Sequence, residues 1–467
     1  MKKMSRNKHY PILHKASKGA TWFFLLASII LLGYTFYRSE IVGGGWYGDR
    51  YFKYYLISVF GILFWGVVLR LKDEVRLNLV VMISSGVMGL YVAEVFLFVT
   101  AKDPRMVSAA QASFHFDSRT KYEVYLDLIR KKVDAVPAVH PMQFVPTNGI
   151  PVGGVAPLFP FGGVSNKTTI MCNESGEYAI FPSDRYGFNN PDSVWDNKKV
   201  KWMLTGDSMT QGSCVKPGDE IAGQIRKLTQ QSVINLGSGG NGPLAELAAL
   251  EEYAKAREPE VVLWVYFEGN DLVGDLQFEM KSKFLVKYLR EELSQDLINR
   301  QKEIDSNLIE YINEEALAQE QVEKKSYRVI HDLLGILRLL NLRVKIRFDN
   351  SFVDMDADMK PIFGDILRKA RDRVGQWGGK LYFVYLPANI RYAGGHQDLG
   401  SLYSRDDILS LVKGLDIPVI DIHEKVLLNH PDPNALFVFK DAHYNKKGYS
   451  LLANAIVDEV EKRPLTD

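Results

Sequence analysis

The chain has 467 residues, and 57 Lys and Arg set against 56 Asp and Glu leave a formal net charge of +1. That length accommodates two or three folding units, and a balanced charge without a dense basic cluster in the C-terminal half excludes nucleic acid as an expected partner. Two cysteines, Cys172 and Cys214, exclude a cysteine zinc set and a disulfide framework, and permit one disulfide at most.

The first hundred residues carry three apolar runs, "TWFFLLASIILLGYTFY" (21–37), "YYLISVFGILFWGVVL" (54–69) and "LNLVVMISSGVMGLYVAEVFLFV" (77–99). Each is near the roughly 20 residues that span a bilayer, and Trp22, Tyr37, Tyr54 and Tyr55 at the margins suit its interface. The alternative, a cleaved signal peptide followed by buried helices, lacks a small-residue cleavage site after the first run. Lys2, Lys3, Arg6, Lys8, Lys15 and Lys18 precede the first run, and Arg70, Lys72 and Arg76 join the second to the third. The positive-inside rule then places the N-terminus in the cytoplasm and everything after about residue 100 outside it, the periplasmic side of a bacterial inner membrane being the expected setting. In that compartment Cys172 and Cys214 can oxidise to one disulfide, and two separate buried thiols are the other reading. Glu94 falls inside the third run, where a carboxylate is either functional or snorkels to the outer interface.

Residues 101–198 read as an extracytoplasmic lead-in: helical spacing over 116–133, an irregular Pro/Gly-rich tract over 137–163, and a hairpin, "TTIMCNESGEYAIF", around Asn-Glu-Ser-Gly. From residue 199 apolar runs alternate with helical patterns. The runs are "KVKWMLT", "SVINLG", "EVVLWVYF", "KLYFVYLP" and "IPVIDI", and helices are expected between them and at 446–461. This rhythm predicts an α/β domain over 199–467, a mostly parallel sheet covered on both faces, with ligands at the carboxyl ends of its strands. A charged helical insertion at 272–350 interrupts it. The end of that insertion, "HDLLGILRLLNLRVKIRF", is basic and amphipathic, fit either to lie on a membrane or to pack on its own domain.

Four polar segments follow or flank the strand ends: "GDSMTQG" with Ser208, "NLGSGGNGP" with Gly240, "FEGND" with Asn270, and "KDAHYNKKGY" with Asp441 and His443. A serine nucleophile needs a base, the base needs an orienting group, and the developing oxyanion needs donors. Singly each segment has a structural explanation: Ser208 or Asn270 as a cap, His443 as a packing residue, Asp207 as a turn residue. Together and in this order, residues 199–461 resemble the SGNH (GDSL-type) superfamily of serine esterases and acyltransferases, over more than half of the chain.

The resemblance implies a three-layer α/β/α fold, Ser208 as nucleophile, His443 as general base and Asp441 as its orienting carboxylate. It also implies the N–H groups of Ser208 and Gly240 and the Asn270 amide as oxyanion donors, with Gly239 an alternative to Gly240. Asp-x-His, rather than the commoner Asp-x-x-His, is similar to SGNH domains of polysaccharide O-acetylation systems. A second pair, Asp421 and His423, still belongs to a strand and its first turn, where capping explains it. The expected protein is therefore a membrane-anchored esterase or O-acyltransferase working outside the cytoplasm on an acylated glycan or other ester, without cofactor or metal. Three spans are few for carrying an activated acyl group across a bilayer, so transfer would call for a membrane-bound donor partner. A lipid esterase and a non-catalytic glycan-binding or assembly subunit are the alternatives.

Overall fold

The computed structural model describes residues 10–42, 48–100, 115–152, 155–323, 332–346, 348, 359–392, 405–439 and 443–462. They divide into two compact units, one made of 1–102 and 321–354, the other of 103–320 and 355–467.

In the first unit the three apolar runs form helices α1 (Tyr10–Phe36), α2 (Gly48–Val68) and α3 (Asp73–Thr100), each with a stretch long and apolar enough to cross a membrane. Trp65 and Val68 of α2 and Val80 of α3 are buried together, and Phe24 of α1 stacks on Trp65 with ring centroids 4.7 Å apart. Ile30, Phe60, Met88 and Val99 point outward and are exposed. Helices that are apolar on the outside as well as at their contacts match lipid as a solvent better than water. Residues 332–346, including the short helix Leu340–Lys345, belong to this unit, so the expected insertion 272–350 is shared between the two units.

The second unit is built on five strands: β1 (Trp202–Gly206), β2 (Val233–Asn235), β3 (Val261–Phe267), β4 (Lys380–Leu386) and β5 (Val419–Asp421). Every pairing is parallel, in the order β2-β1-β3-β4-β5. Trp202, Leu204, Leu263, Val265 and Val384 pack on Ile221 and Ile225 of helix α4 (Ile221–Thr229) and on Leu452 and Ile456 of helix α7 (Lys446–Glu461). From the alternate positions, Tyr266 and Phe383 meet Phe363 of helix α6 (Lys360–Gly375), with ring centroids 5.6 and 6.2 Å away. Helix α5 (Pro243–Tyr253) follows β2. Burial of both alternating sets explains why these strands read as continuous apolar runs. The chain reverses direction across the sheet between β1 and β3, which opens a crevice at their carboxyl ends.

The lead-in belongs to this same unit. Its helix, Lys121–Arg130, starts with a capping box in which Thr120 Oγ1 accepts from the Glu123 N–H and Glu123 Oε2 accepts from the Thr120 N–H. Thr168–Ile170 and Ile180–Pro182 form the expected hairpin, and Ala135–Pro137 pairs with its first strand. Pro182 sits on the edge strand, where a missing N–H costs no ladder bond. Buried Asp184 fastens the lead-in to the sheet: it accepts from Trp195 Nε1 (2.6 Å), Asn190 Nδ2 (2.8 Å) and the Tyr186 N–H (2.8 Å). Asn190 in turn exchanges hydrogen bonds of 2.8 and 2.9 Å with the backbone of Asn235 at the end of β2. Burial raises the Asp184 carboxyl to about 6 in spite of those donors.

Candidate active site

Ser208 stands at the carboxyl end of β1, as the first residue of a one-turn helix, Ser208–Gln211. Any Cβ on Gly206 would run into the Thr210 hydroxyl and the Val265 carbonyl, so the strand can turn this sharply only with glycine there. Asp207 is buried and caps the turn, its Oδ1 accepting from the Met209 N–H at 2.8 Å, which is the turn role expected for it. Gly212, with φ of 80°, ends the turn in the left-handed region.

The Ser208 hydroxyl lies 2.9 Å from His443 Nε2. On the other side of the ring, His443 Nδ1 lies 2.9 Å from Glu174 Oε1, and the His443 backbone N–H donates to Glu174 Oε2 at 3.2 Å. A carboxylate on Nδ1 holds the proton there and leaves Nε2 as the acceptor for the serine proton. Burial lowers the imidazole's pKa, but the Glu174 hydrogen bond and charge, with the charge of Asp207, outweigh it and leave His443 above its ordinary value.

Glu174 is the residue that sequence reasoning missed. It sits at the tip of the lead-in hairpin, 269 residues before His443. The expected Asp441 lies outside the described residues, and among those described Glu174 is the carboxylate at Nδ1. The physical reason is the docking of the hairpin: it seats both Glu174 oxygens on His443, one on the ring and one on the backbone. Its neighbours are built to hold that position. Asn173 Oδ1 accepts from the Gly176 N–H (2.9 Å) and Asn173 Nδ2 donates to the Asp117 carbonyl (2.8 Å), fixing the hairpin tip. Cys172, two residues before Glu174, is disulfide-bonded to Cys214, six residues after Ser208, with Cα atoms 5.1 Å apart. The only signal in the sequence was a cysteine two residues from an acid in a polar turn.

The lead-in also reaches the second glycine loop. His140 Nδ1 is 3.4 Å from Ser238 Oγ, and a Cβ on Gly240, whose φ is 71°, would collide with Met142. Burial and the nearby charge of Lys121 depress His140 to about 4, so it is neutral at physiological pH. Of the two candidate oxyanion glycines, Gly239 already donates its N–H to Gln211 Oε1 at 3.0 Å. Among the described residues no hydrogen bond takes up the Gly240 N–H. Asn270 lies just beyond β3, its Nδ2 donating to Asp275 Oδ2 at 2.7 Å.

Behind these loops lies a set of buried carboxyls. Glu279 accepts from the N–H groups of Gly242 (2.7 Å), Leu244 (2.9 Å) and Ala245 (3.3 Å), capping α5 and tying the Gly240 loop to the segment after Asn270. Burial pushes Glu279 up to about 8. Asp271 accepts from the Phe267 N–H at 2.8 Å, and burial together with neighbouring carboxylates raises Asp271 and Glu246 well above the carboxylate range. Glu279 and Asp271 spend their oxygens on backbone N–H groups and so shape these loops.

His423 is elsewhere: its Nδ1 is 2.6 Å from the Tyr392 hydroxyl, and its N–H donates to Asp421 Oδ1 at 3.0 Å. Glu174, Cys214 and His443 bring one ligand atom each within 4.8 Å of one another. That set does not suit a metal ion, because the Cys214 sulfur is in the disulfide and His443 is held between Glu174 and Ser208.

No family model matches the chain, and no curated protein matches it. Solved structures that overlap it include a lipase/acylhydrolase from Enterococcus faecalis, 14% identical, covering 57% of this chain and 100% of that one at a TM-score of 0.32. A member of the lipolytic protein G-D-S-L family from Veillonella parvula is 13% identical, covering 56% and 98% at a TM-score of 0.31. A catalytic mutant of an acetylxylan esterase from Geobacillus stearothermophilus is 14% identical, covering 56% and 94% at a TM-score of 0.30. These overlaps are too loose to carry a residue-by-residue correspondence.

Proposed function

We propose that this chain is a membrane-anchored serine acyl-ester enzyme, with an SGNH-type three-layer α/β/α domain working outside the cytoplasm. The observation that carries the chemistry is the unbroken relay from Ser208 Oγ to His443 Nε2 and from His443 Nδ1 to Glu174, each step 2.9 Å. Ser208 Oγ attacks the ester carbonyl as His443 Nε2 takes its proton, and Glu174 steadies the imidazolium. The oxyanion is held by the N–H groups of Ser208 and Gly240 and by the Asn270 amide. His443 then gives its proton to the departing alkoxide, leaving an acyl-serine. A second nucleophile reverses these steps and frees Ser208.

Water as that nucleophile makes the enzyme an esterase, and a sugar hydroxyl makes it an O-acyltransferase drawing on a membrane-bound donor partner. The disulfide supports an oxidising compartment, and the apolar helices support an anchor. A glycan bearing acyl groups is the substrate class favoured by the Asp-x-His pattern at 441–443. The alternatives of a lipid esterase and of a binding or assembly subunit share the fold, and an intact relay weighs against the second.

Ser208→Ala should abolish labelling by a fluorophosphonate probe and release of p-nitrophenol from its acetate, with folding unchanged, since one hydroxyl and no core volume is lost. Asn270→Ala should lower turnover by about 10²–10³. Full labelling of the Ser208→Ala variant would remove Ser208 as the nucleophile. An added oligosaccharide that gains acyl groups at the expense of hydrolysis identifies transfer.

A further inference from the structure

Two features of the sequence take no part in the chemistry above: the carboxylate of Glu94 inside the third apolar run, and the basic amphipathic end of the insertion. The structure brings them together. Glu94 is fully buried. Its Oε1 accepts from the Asn341 N–H (3.0 Å) and Asn341 Nδ2 (2.9 Å), and its Oε2 accepts from the Leu342 N–H (2.7 Å). One turn before it, the Tyr91 hydroxyl donates to the Leu337 carbonyl at 3.0 Å. At the start of α2, Lys53 Nζ donates to the Phe348 carbonyl at 2.9 Å, Tyr54 meets the Phe348 ring edge-on, and the Arg343 guanidinium stands over the Tyr54 ring.

These contacts share one level of the membrane unit. Glu94 lies six residues before the end of α3 and Tyr54 six residues after the start of α2, each about 9 Å along its helix. Because α2 and α3 run in opposite directions through a membrane, the start of one and the end of the other reach the same side. Segment 332–348 therefore crosses the ends of both helices at that side. It presents Leu333, Leu334, Leu337, Val344 and Ile346 exposed, and carries Arg338, Arg343 and Lys345.

We infer that segment 332–348, tethered by Glu94, is an interfacial element whose exposed apolar face is occupied by the lipid of the same leaflet, with Arg338, Arg343 and Lys345 among the headgroups. The occupant follows from continuity: on the Glu94 face of α3, about one turn to either side, Leu90 and Phe98 are exposed as well, and leucines beside cations are what the boundary between acyl chains and headgroups accepts. A carboxylate at that depth is kept because it is fully engaged by the backbone and amide it caps.

The inference rests on the membrane anchor proposed above, so its test carries a control for that anchor. The native cysteines being joined, a single cysteine at Val344→Cys is labelled with bimane in full-length protein in phosphatidylcholine–phosphatidylglycerol nanodiscs containing lipids brominated on the acyl chain. Phe60→Cys in α2 is the control. At least a twofold loss of emission is expected at both positions. Quenching at 60 without quenching at 344 overturns the interfacial element alone, and protection of 344 from an aqueous maleimide in that case puts a protein on the face. Absence of quenching at both positions overturns the anchor and the inference with it. Asn341→Asp, which sets a second carboxylate against Glu94, should reduce quenching at 344 by half or more and leave 60 unchanged. Unchanged quenching at 344 would rule out Glu94 as the tether.

Discussion

Glu174 and His443 lie 269 residues apart in the chain and meet at 2.9 Å. Among the described residues, the carboxylate on His443 comes from the lead-in hairpin and not from the strand–helix domain. The lead-in thus lines the proposed active site, with Glu174 at the base and His140 and Met142 against the glycine loop.

Glu174→Gln should therefore lower kcat by about 10³–10⁴, the scale at which a triad acid acts. Asp441→Asn should stay within a few-fold of the parent. Steady-state hydrolysis of a p-nitrophenyl ester measures both. A dead Asp441→Asn with a fully active Glu174→Gln would restore the assignment that the sequence suggested.

The pH dependence carries a sign. His443 must be neutral to accept the serine proton, and its pKa lies above the ordinary histidine value. Activity should rise with pH along an acid limb centred above about 6.5. Removing the Glu174 charge removes one of the influences that raise the pKa, so the residual activity of Glu174→Gln should show its limb displaced to lower pH. A limb that stays in place in the variant would mean that Glu174 does not reach the imidazole.

Reduction of Cys172–Cys214 tests what holds Glu174. The bond closes a loop between residues 42 apart in sequence and should contribute about 2–4 kcal/mol to stability. Its loss frees the hairpin tip two residues from Glu174, so kcat should fall by roughly tenfold or more under conditions where circular dichroism still reports the folded sheet. Thiol counting on denatured, unreduced protein should find no free thiol. Two per chain would remove the bond from the account.

The topology proposed for the anchor predicts that a reporter active only outside the cytoplasm works when fused after residue 110 and fails when fused near residue 73. The reverse pattern would place the active site on the cytoplasmic side.

Local pattern was enough for the elements. Continuous runs such as "EVVLWVYF" identify buried parallel strands because burial on both faces leaves no polar alternation, and the α1, α2 and α3 runs announce themselves by length and apolarity. Ser208, Gly240, Asn270 and His443 stood out as candidates on the same kind of pattern: glycine and polar residues that end an apolar run mark the edge of a sheet where ligands bind. What periodicity cannot encode is which distant surfaces meet. Glu174 reads as one acid in a polar turn until the hairpin docks on the nucleophile loop, whereas the expected Asp441 lies outside the described residues. That Gln211 takes the Gly239 N–H, and not that of Gly240, is likewise a contact no local pattern announces. Glu94 and the insertion's basic end are separate features in the sequence, and only the fold of the first unit joins them across 247 residues. Pairings of this kind depend on side-chain geometry between segments far apart in the chain, so tertiary packing decided them.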